Sequence, residues 1–366
     1  MTRASLTEAQ CQLGDLIAPP NLHWTERHTS GREGKIISPL GVNSLSSPRP
    51  YISFVVTARN DDYGGNFLHR MNVFVNQTRL WNKFGLNYEL IIVEWNPPPD
   101  RPRLKDALAW PTCAQEKVRI IEVTSQIHRS LPRSNMIQLY EFTGKNVGIR
   151  RARGAFVLST NSDILFSAQL TEFLASRRLL RQCFYRTDRY DLDRSIVPLA
   201  VPATEQLKFC EKHIARINLR GETIDVHDRR PGNLRIEMAK YHFNRLRRRK
   251  LNRIEDTLHT NGSGDFMLMS QDSWNGLRGH PETFVTNVHI DSFMCAMAAS
   301  SGLKQVILNG PMCAYHQHHE SHDEPSEALY SFWVKQARLM LERGKPIIYN
   351  TENWGLNELD CNEWHL

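Results

Sequence analysis

Apolar residues follow two rhythms along this chain, and the alternation between them predicts its architecture. YISFVVTA (51–58), ELIIVEW (89–95), VRIIEV (118–123) and AFVLST (155–160) are short runs rich in β-branched residues. They are apolar at consecutive positions, the pattern of strands buried on both faces. After the first run, Phe67, Met71, Phe74, Val75, Trp81 and Phe84 recur at helical spacing with polar residues between them. A helix across 141–153 leads into the fourth strand. Such alternation predicts an α/β fold, a doubly wound and mainly parallel sheet flanked by helices. Ligands of these sheets bind beyond the carboxyl ends of the strands. Those ends are Thr57–Asp62, Glu94–Asn96 and Asn161–Asp163, all polar or acidic, which marks the expected site face.

Past Asp163 the rhythm weakens. DFMLMS (265–270) and KQVILN (304–309) read as strands, separated by a helix from Asp291 to Ser301 that stops at Gly302. A last amphipathic helix spans 326–343. The layout expected is a polar, Pro/Gly/Ser-rich arm (1–48), one domain (49–345) with a charged, mostly helical insertion (204–258), and a tail (346–366).

Composition narrows the function classes. The chain has 366 residues, 40% hydrophobic and 23% charged, enough for a sizeable core. Lys and Arg (46) exceed Asp and Glu (39), so anionic partners are favoured. The seven cysteines are scattered without a CxxC pair, which argues against a zinc knuckle or redox dithiol. No apolar run approaches the ~18 residues of a membrane-spanning helix, and the first residues lack a signal peptide's apolar stretch. The expectation is a soluble chain, cytoplasmic by default, with no membrane association encoded. RLRRRK (245–250) lacks interleaved aromatics, so a solvated helix is expected there and nucleic acid is not an expected partner. GxxxxGK[ST], GxGxxG and GxSxG are absent, which leaves P-loop, dinucleotide and serine-hydrolase chemistry without an anchor.

Four segments carry a resemblance. They are TARND (57–61); Asn146, Gly148, Ala152 and Arg153 in an N-x-G-x-x-x-A-R spacing; Asn161-Ser162-Asp163; and Gly264-Asp265-Phe266 followed by His289-Ile290-Asp291 and Tyr315-His316. In this order they resemble the GT-A glycosyltransferases, most closely the inverting, metal-dependent family 2-like enzymes, over residues 51 to about 320. The resemblance implies a GT-A type sheet with a smaller acceptor-side sheet. It implies Asp163 as the last carboxylate of an Asp-x-Asp-like motif, Asp291 as general base, and His316 as a metal ligand. Two departures stand out: Asn161 replaces the first Asp of the motif, and His289 precedes Asp291 where relatives have an acidic pair.

The chemistry that such a transfer needs stands beside the resemblance. A sugar diphosphonucleotide needs its leaving phosphates neutralised, which a bridging divalent ion does as Lewis acid and template. Mg²⁺ and Mn²⁺ take few ligands from protein when phosphates supply the rest. One carboxylate (Asp163) and one imidazole (His316) suffice, and the imidazole favours Mn²⁺. His316 lies in a run with His318, His319 and His322, which a solvated loop would also explain; His318 and His322 have the spacing of a separate zinc pair. The acceptor hydroxyl needs a carboxylate to take its proton, and Asp291 fits, although Asp is also a favoured helix cap. Thr57, Arg59, Asn60, Glu94, Asn146, Arg150, Arg153 and Ser162 are the candidate contacts to a nucleotide-sugar donor, UDP-linked. Gly264, Asp265 and Trp274 are the candidates for a carbohydrate or other hydroxyl acceptor, with Trp274 equally readable as core. Retaining transfer, with Asp291 orienting the acceptor, and a catalytically inactive carbohydrate- or nucleotide-binding protein remain open alternatives.

Overall fold

The structure, a computed structural model, describes residues 49–226, 236–243, 257–284, 287–320 and 327–366. The N-terminal arm, RLRRRK and His322 lie outside the described residues. The strands in chain order are β1 (Ile52–Ala58), β2 (Tyr88–Trp95), β3 (Val118–Val123), β4 (Phe156–Thr160), β5 (Ile164–Phe166) and β6 (Cys183–Leu192). They are followed by β7 (Ile214–Leu219), β8 (Glu222–Asp225), β9 (Phe266–Ser270), β10 (Lys304–His316) and β11 (Asn362–His365). One sheet holds them in the order β11-β3-β2-β1-β4-β9-β6-β10-β5, with β7 and β8 branching from β6. The half β3-β2-β1-β4 is parallel throughout, as the buried apolar runs predicted. The acceptor-side strands continue this sheet, because β9 pairs antiparallel with both β4 and β6.

Alternation along β1 sorts the core. Phe54 and Val56 face a layer with Phe74 of helix α1 (Phe67–Asn76), Trp81 and Phe166. Trp81 stacks on Phe54 with ring centroids 4.2 Å apart. Val55 faces the other layer, with Val147 of helix α2 (Glu141–Arg151). Helix α3 is Ala203–Lys212. Helices α4 (Ile290–Ser300) and α5 (Glu327–Arg343) extend the Val55 layer through Phe293 and Trp333.

Glycines let α2 lie close to the sheet. A Cβ on Gly148 would meet Val55 Cγ1 at 2.5 Å and Val93 Cγ2 at 3.2 Å, and both valines are fully buried. β-Branched side chains have little rotamer freedom with which to yield. Overpacking of this kind costs roughly 1–3 kcal/mol, against about 1 kcal/mol that Ala gains over Gly in a helix. Gly148→Ala is therefore expected to destabilise the fold by about 1 kcal/mol or more, read as a lower urea midpoint at unchanged slope.

Three stretches depart from the expected layout. In the insertion, α3 is followed by the hairpin β7–β8, which turns at Arg220-Gly221, with Gly221 at φ 73°, and pairs with β6, and residues 236–243 beyond it are helical. The alternation in IARINL is a strand pattern that the surrounding charge obscures. Strand β6 itself, CFYRTDRYDL, carries charges that are compensated internally. Arg186 is fully buried and donates to the carbonyls of His259 (3.2 Å) and Asn261 (2.8 Å), and Asp188 pairs with His259 at 3.1 Å. Beyond residue 345 the chain does not trail away: Ile347, Trp354 and Leu356 are buried and β11 pairs antiparallel with β3.

Candidate functional site

Topology brings the ends of several strands to one edge. β1, β2, β4, β6 and β10 finish there, while β9, running the other way, starts there. That places Arg59 and Asn60, Glu94, Asn161–Asp163, Arg189 and Asp191, His316, and Gly264-Asp265 along one rim.

Register fixes the centre of this rim. After β4 the chain turns through Asn161–Asp163 into β5, whose Ile164 lies opposite His316 of β10. Gln317 N–H donates to the Asp163 carbonyl at 3.1 Å, and its side chain donates to the Arg70 and Asp163 carbonyls at 3.1 and 3.3 Å. These bonds place Asp163, His316 and His319 so that one ligand atom from each lies within 4.8 Å of the others. His316 Nε2 is 3.7 Å and His319 Nε2 is 3.2 Å from Asp163 Oδ2. The opposite nitrogens face other oxygens: His316 Nδ1 lies 3.4 Å from Asp191 Oδ1, and His319 Nδ1 lies 3.0 Å from the Glu320 carbonyl. Both imidazoles thus present Nε2 to the same carboxylate, the arrangement of metal-binding histidines whose second nitrogen is held by an oxygen.

The electrostatics agree. Burial alone would raise the Asp163 carboxyl, but His316, His319 and Arg70 together outweigh it and hold the group well below the usual carboxylate range. The bond to Asp163 raises His319. Asp163 Oδ1 is buried with no hydrogen-bond partner among the described residues, a donor atom that a cation would satisfy. Two imidazoles and one carboxylate suit Mn²⁺ or Zn²⁺ better than Mg²⁺, and leave coordination positions for phosphate oxygens. The sequence does not single out His319, because its distance from Asp163 depends on an irregular turn. His318 points elsewhere, 3.7 Å from Glu320.

Asp291 opens α4 at the wall of a cleft of about 350 Å³ that also includes Arg189, His289, Ser292, Tyr330 and Trp333. Its Oδ2 accepts the Gly264 N–H at 2.6 Å and its Oδ1 the Ser292 N–H at 2.8 Å. The Gly264 carbonyl is held from the other side by Lys145 Nζ at 3.0 Å, and Lys145 also pairs with Glu141 at 2.6 Å. Lys145 is fully buried, and no sequence pattern singles out either it or Glu141. Asp265 accepts from Arg189 (2.7 Å) and Asn161 (2.7 Å), so Asn161 serves as a prop for Asp265. A second cavity of about 250 Å³ is lined by His319 together with Gly64, Gly65, His69, Arg70 and Arg194.

At the β1–β2 end, Arg59 Nε donates to the Asn96 carbonyl at 2.8 Å and Asn60 Nδ2 to that of Pro102 at 3.0 Å. Burial pushes the Glu94 carboxyl up to about 7, against the Leu104 N–H that it accepts at 2.9 Å. Asn60 Oδ1 and Glu94 Oε2 are buried without a partner among the described residues. Thr57 Oγ1 donates to the Glu141 carbonyl at 3.1 Å, while Ser162 sits half-buried in the turn before Asp163.

The remaining candidates are not brought to the rim. Helix α2 returns across the sheet, so Arg150 and Arg153 end up at the amino-terminal edge of the strands. Arg150 donates to Asn357 (2.9 Å) and covers the Trp354 ring, and the Arg153 N–H caps Glu89 at 2.5 Å. Asn146 is fully buried, bound to the His280 backbone and to Glu282. Trp274 is 0% exposed in the core and donates to the Val157 carbonyl at 3.0 Å, so no sugar stacks there. In this chain the N-x-G-x-x-x-A-R spacing is a packing pattern.

The same region predicts a pH effect. Burial raises the Glu282 carboxyl to about 7, although Asn146 and the Gly355 N–H (2.9 Å) both favour its charged form. A folded-state value above the unfolded 4.5 means the contribution is full below pH 4.5 and lost as pH rises through about 7. An amide in place of the acid would keep the Oε1 acceptor without the buried charge. Glu282→Gln is expected to match the parent near pH 5 and to exceed it at pH 8 by on the order of 2 kcal/mol in urea unfolding.

No protein-family model matches this chain, and no curated protein is similar to it in sequence. Among solved structures, the catalytic domain of Drosophila β1,4-galactosyltransferase 7 in complex with xylobiose is similar over 77% of this chain and 78% of that one, at 9% identity and a TM-score of 0.37.

Proposed function

We propose that this chain is a glycosyltransferase that moves a sugar from a nucleotide diphosphate sugar, UDP-linked, to the hydroxyl of a carbohydrate or other acceptor, with inversion. The observation that carries this reading is the Asp163–His316–His319 set at the carboxyl edge of the sheet, beside a cleft whose wall holds Asp291. Asp163, His316 and His319 would hold the divalent ion, Mn²⁺ before Mg²⁺. When bound, that ion supplies Lewis-acid neutralisation of the leaving diphosphate.

The chain's own residues do the rest. Asp291, aimed by the Gly264 and Ser292 N–H groups, takes the acceptor proton. Thr57, Arg59, Asn60, Glu94 and Ser162 form the nucleoside side. Asn60 and Glu94 lie buried beneath this side and support it, Glu94 with its carboxyl pushed up to about 7. Gly264 and Asp265 form the acceptor side, where Arg189 locks Asp265 in place.

One observation favours the retaining alternative. Both Asp291 oxygens already accept main-chain N–H groups, which also suits a residue that only orients the acceptor. The anomeric configuration of the product, read by NMR, separates the two.

The test of the reading is calorimetric and thermal-shift binding of UDP, GDP, CDP and their sugars, with and without Mn²⁺. The expected result is metal-dependent stabilisation by a uridine nucleotide that is lost in Asp163→Ala. If no nucleotide stabilises the chain, the transferase reading fails.

A further inference from the structure

His316 has a neighbour on the side away from Asp163. Parallel pairing of β10 with β6 sets Asp191 directly opposite it, which brings Asp191 Oδ1 to 3.4 Å from His316 Nδ1. Asp191 is itself fixed from two directions. Arg189, two residues earlier on the same strand face, reaches it at 2.8 Å, and Asn218 of the β7–β8 hairpin donates to its Oδ2 at 2.9 Å. Arg189 reaches on to Asp265 at 2.7 Å and lines the cleft that holds Asp291.

A neutral imidazole carries one N–H and one lone pair, and the partner of one nitrogen decides which role the other plays. A carboxylate at Nδ1 keeps the proton there, which leaves the Nε2 lone pair directed at Asp163. Arg189 and Asn218 limit the freedom of the half-buried Asp191 to turn away.

We infer that Asp191 is a positioning residue for the metal centre, held by Arg189 and by Asn218, so that the hairpin within the insertion buttresses His316 from behind. The inference rests on the metal reading above. It also gives the hairpin a task within the site: its Asn218 stands where a water or a mobile side chain would leave Asp191 free to rotate.

The test uses the full chain and MnCl₂ alone, with free Mn²⁺ followed by electron paramagnetic resonance. Asp191→Asn is expected to weaken Mn²⁺ binding by about 10- to 100-fold, the usual effect of losing such an outer partner. Asp191→Glu should recover part of that loss, and the metal-free melting temperature of each variant should stay within a few degrees of the parent. Unchanged affinity in Asp191→Asn, with binding lost in Asp163→Asn, overturns this inference and leaves the metal reading standing. Absence of Mn²⁺ binding by the parent chain overturns both. A measurement on the unsubstituted protein guards against a variant that does not fold. Long-range ¹H–¹⁵N spectra with Zn²⁺ bound are expected to show His316 protonated at Nδ1, and protonation at Nε2 overturns the assignment.

Discussion

Asp163→Asn is expected to abolish Mn²⁺ binding and to lower sugar transfer by about a thousandfold or more. The substitution keeps the size of the side chain and the backbone carbonyl that Gln317 grips, so the turn before β5 survives. What it removes is the one anionic ligand of the set. Two imidazoles beside Arg70 make a poor site for a dication, and the diphosphate then leaves without its counter-charge. Several kcal/mol of transition-state stabilisation rest on that neutralisation, and each 1.36 kcal/mol is tenfold in rate. Calorimetric titration with MnCl₂ and a donor-turnover assay check the two halves separately. Metal affinity within a few-fold of the parent would remove Asp163 from the ligand set.

The second large effect belongs to Asp291. Asp291→Asn is expected to lower kcat by 10²- to 10⁴-fold, the range for loss of a positioned general base. Donor affinity should stay within about twofold, because the metal set and the β1–β2 rim are untouched. Stability should fall by only about 1 kcal/mol: the amide oxygen still accepts the Gly264 N–H, while the Ser292 N–H loses its acceptor. Steady-state kinetics together with thermal melting distinguish this from unfolding. Turnover within threefold of the parent would move the proton acceptor elsewhere. Glu141 is the next carboxylate to examine, since it meets the same Gly264 peptide through Lys145.

The parallel half of the sheet is readable because each of its strands is buried on both faces and so is written in consecutive apolar residues. Asp163 is readable for a related reason: it follows such a strand at the edge where ligands gather. His316 closes β10 at that same edge, but its companion His319 depends on a turn that no periodicity describes. β6 is hidden because Arg186, Asp188, Arg189 and Asp191 look like a solvated stretch until their partners are known. With β6 unread, Asp191 and Arg189 cannot be placed either. Trp274, Asn146, Arg150 and Arg153 mislead for the opposite reason. They occupy positions on or beside α2, or against β4, where the demand is for close packing, and α2 carries its last turn to the far edge of the sheet.

The pairing of β11 with β3 ties together segments more than two hundred residues apart in sequence. During synthesis, β3 leaves the ribosome long before its partner exists, and contacts of such separation form late. For that interval the outer edge of β3 is an open template of unpaired N–H and C=O groups, the kind of edge that recruits another chain. Arg119 and Glu122 on that strand keep charge along it, and in the finished protein Arg119 meets Glu363 of β11 at 2.8 Å. Arg119 also meets Glu89 of β2 at 3.0 Å, so the strand that arrives last joins a charge pair that the parallel half can form without it.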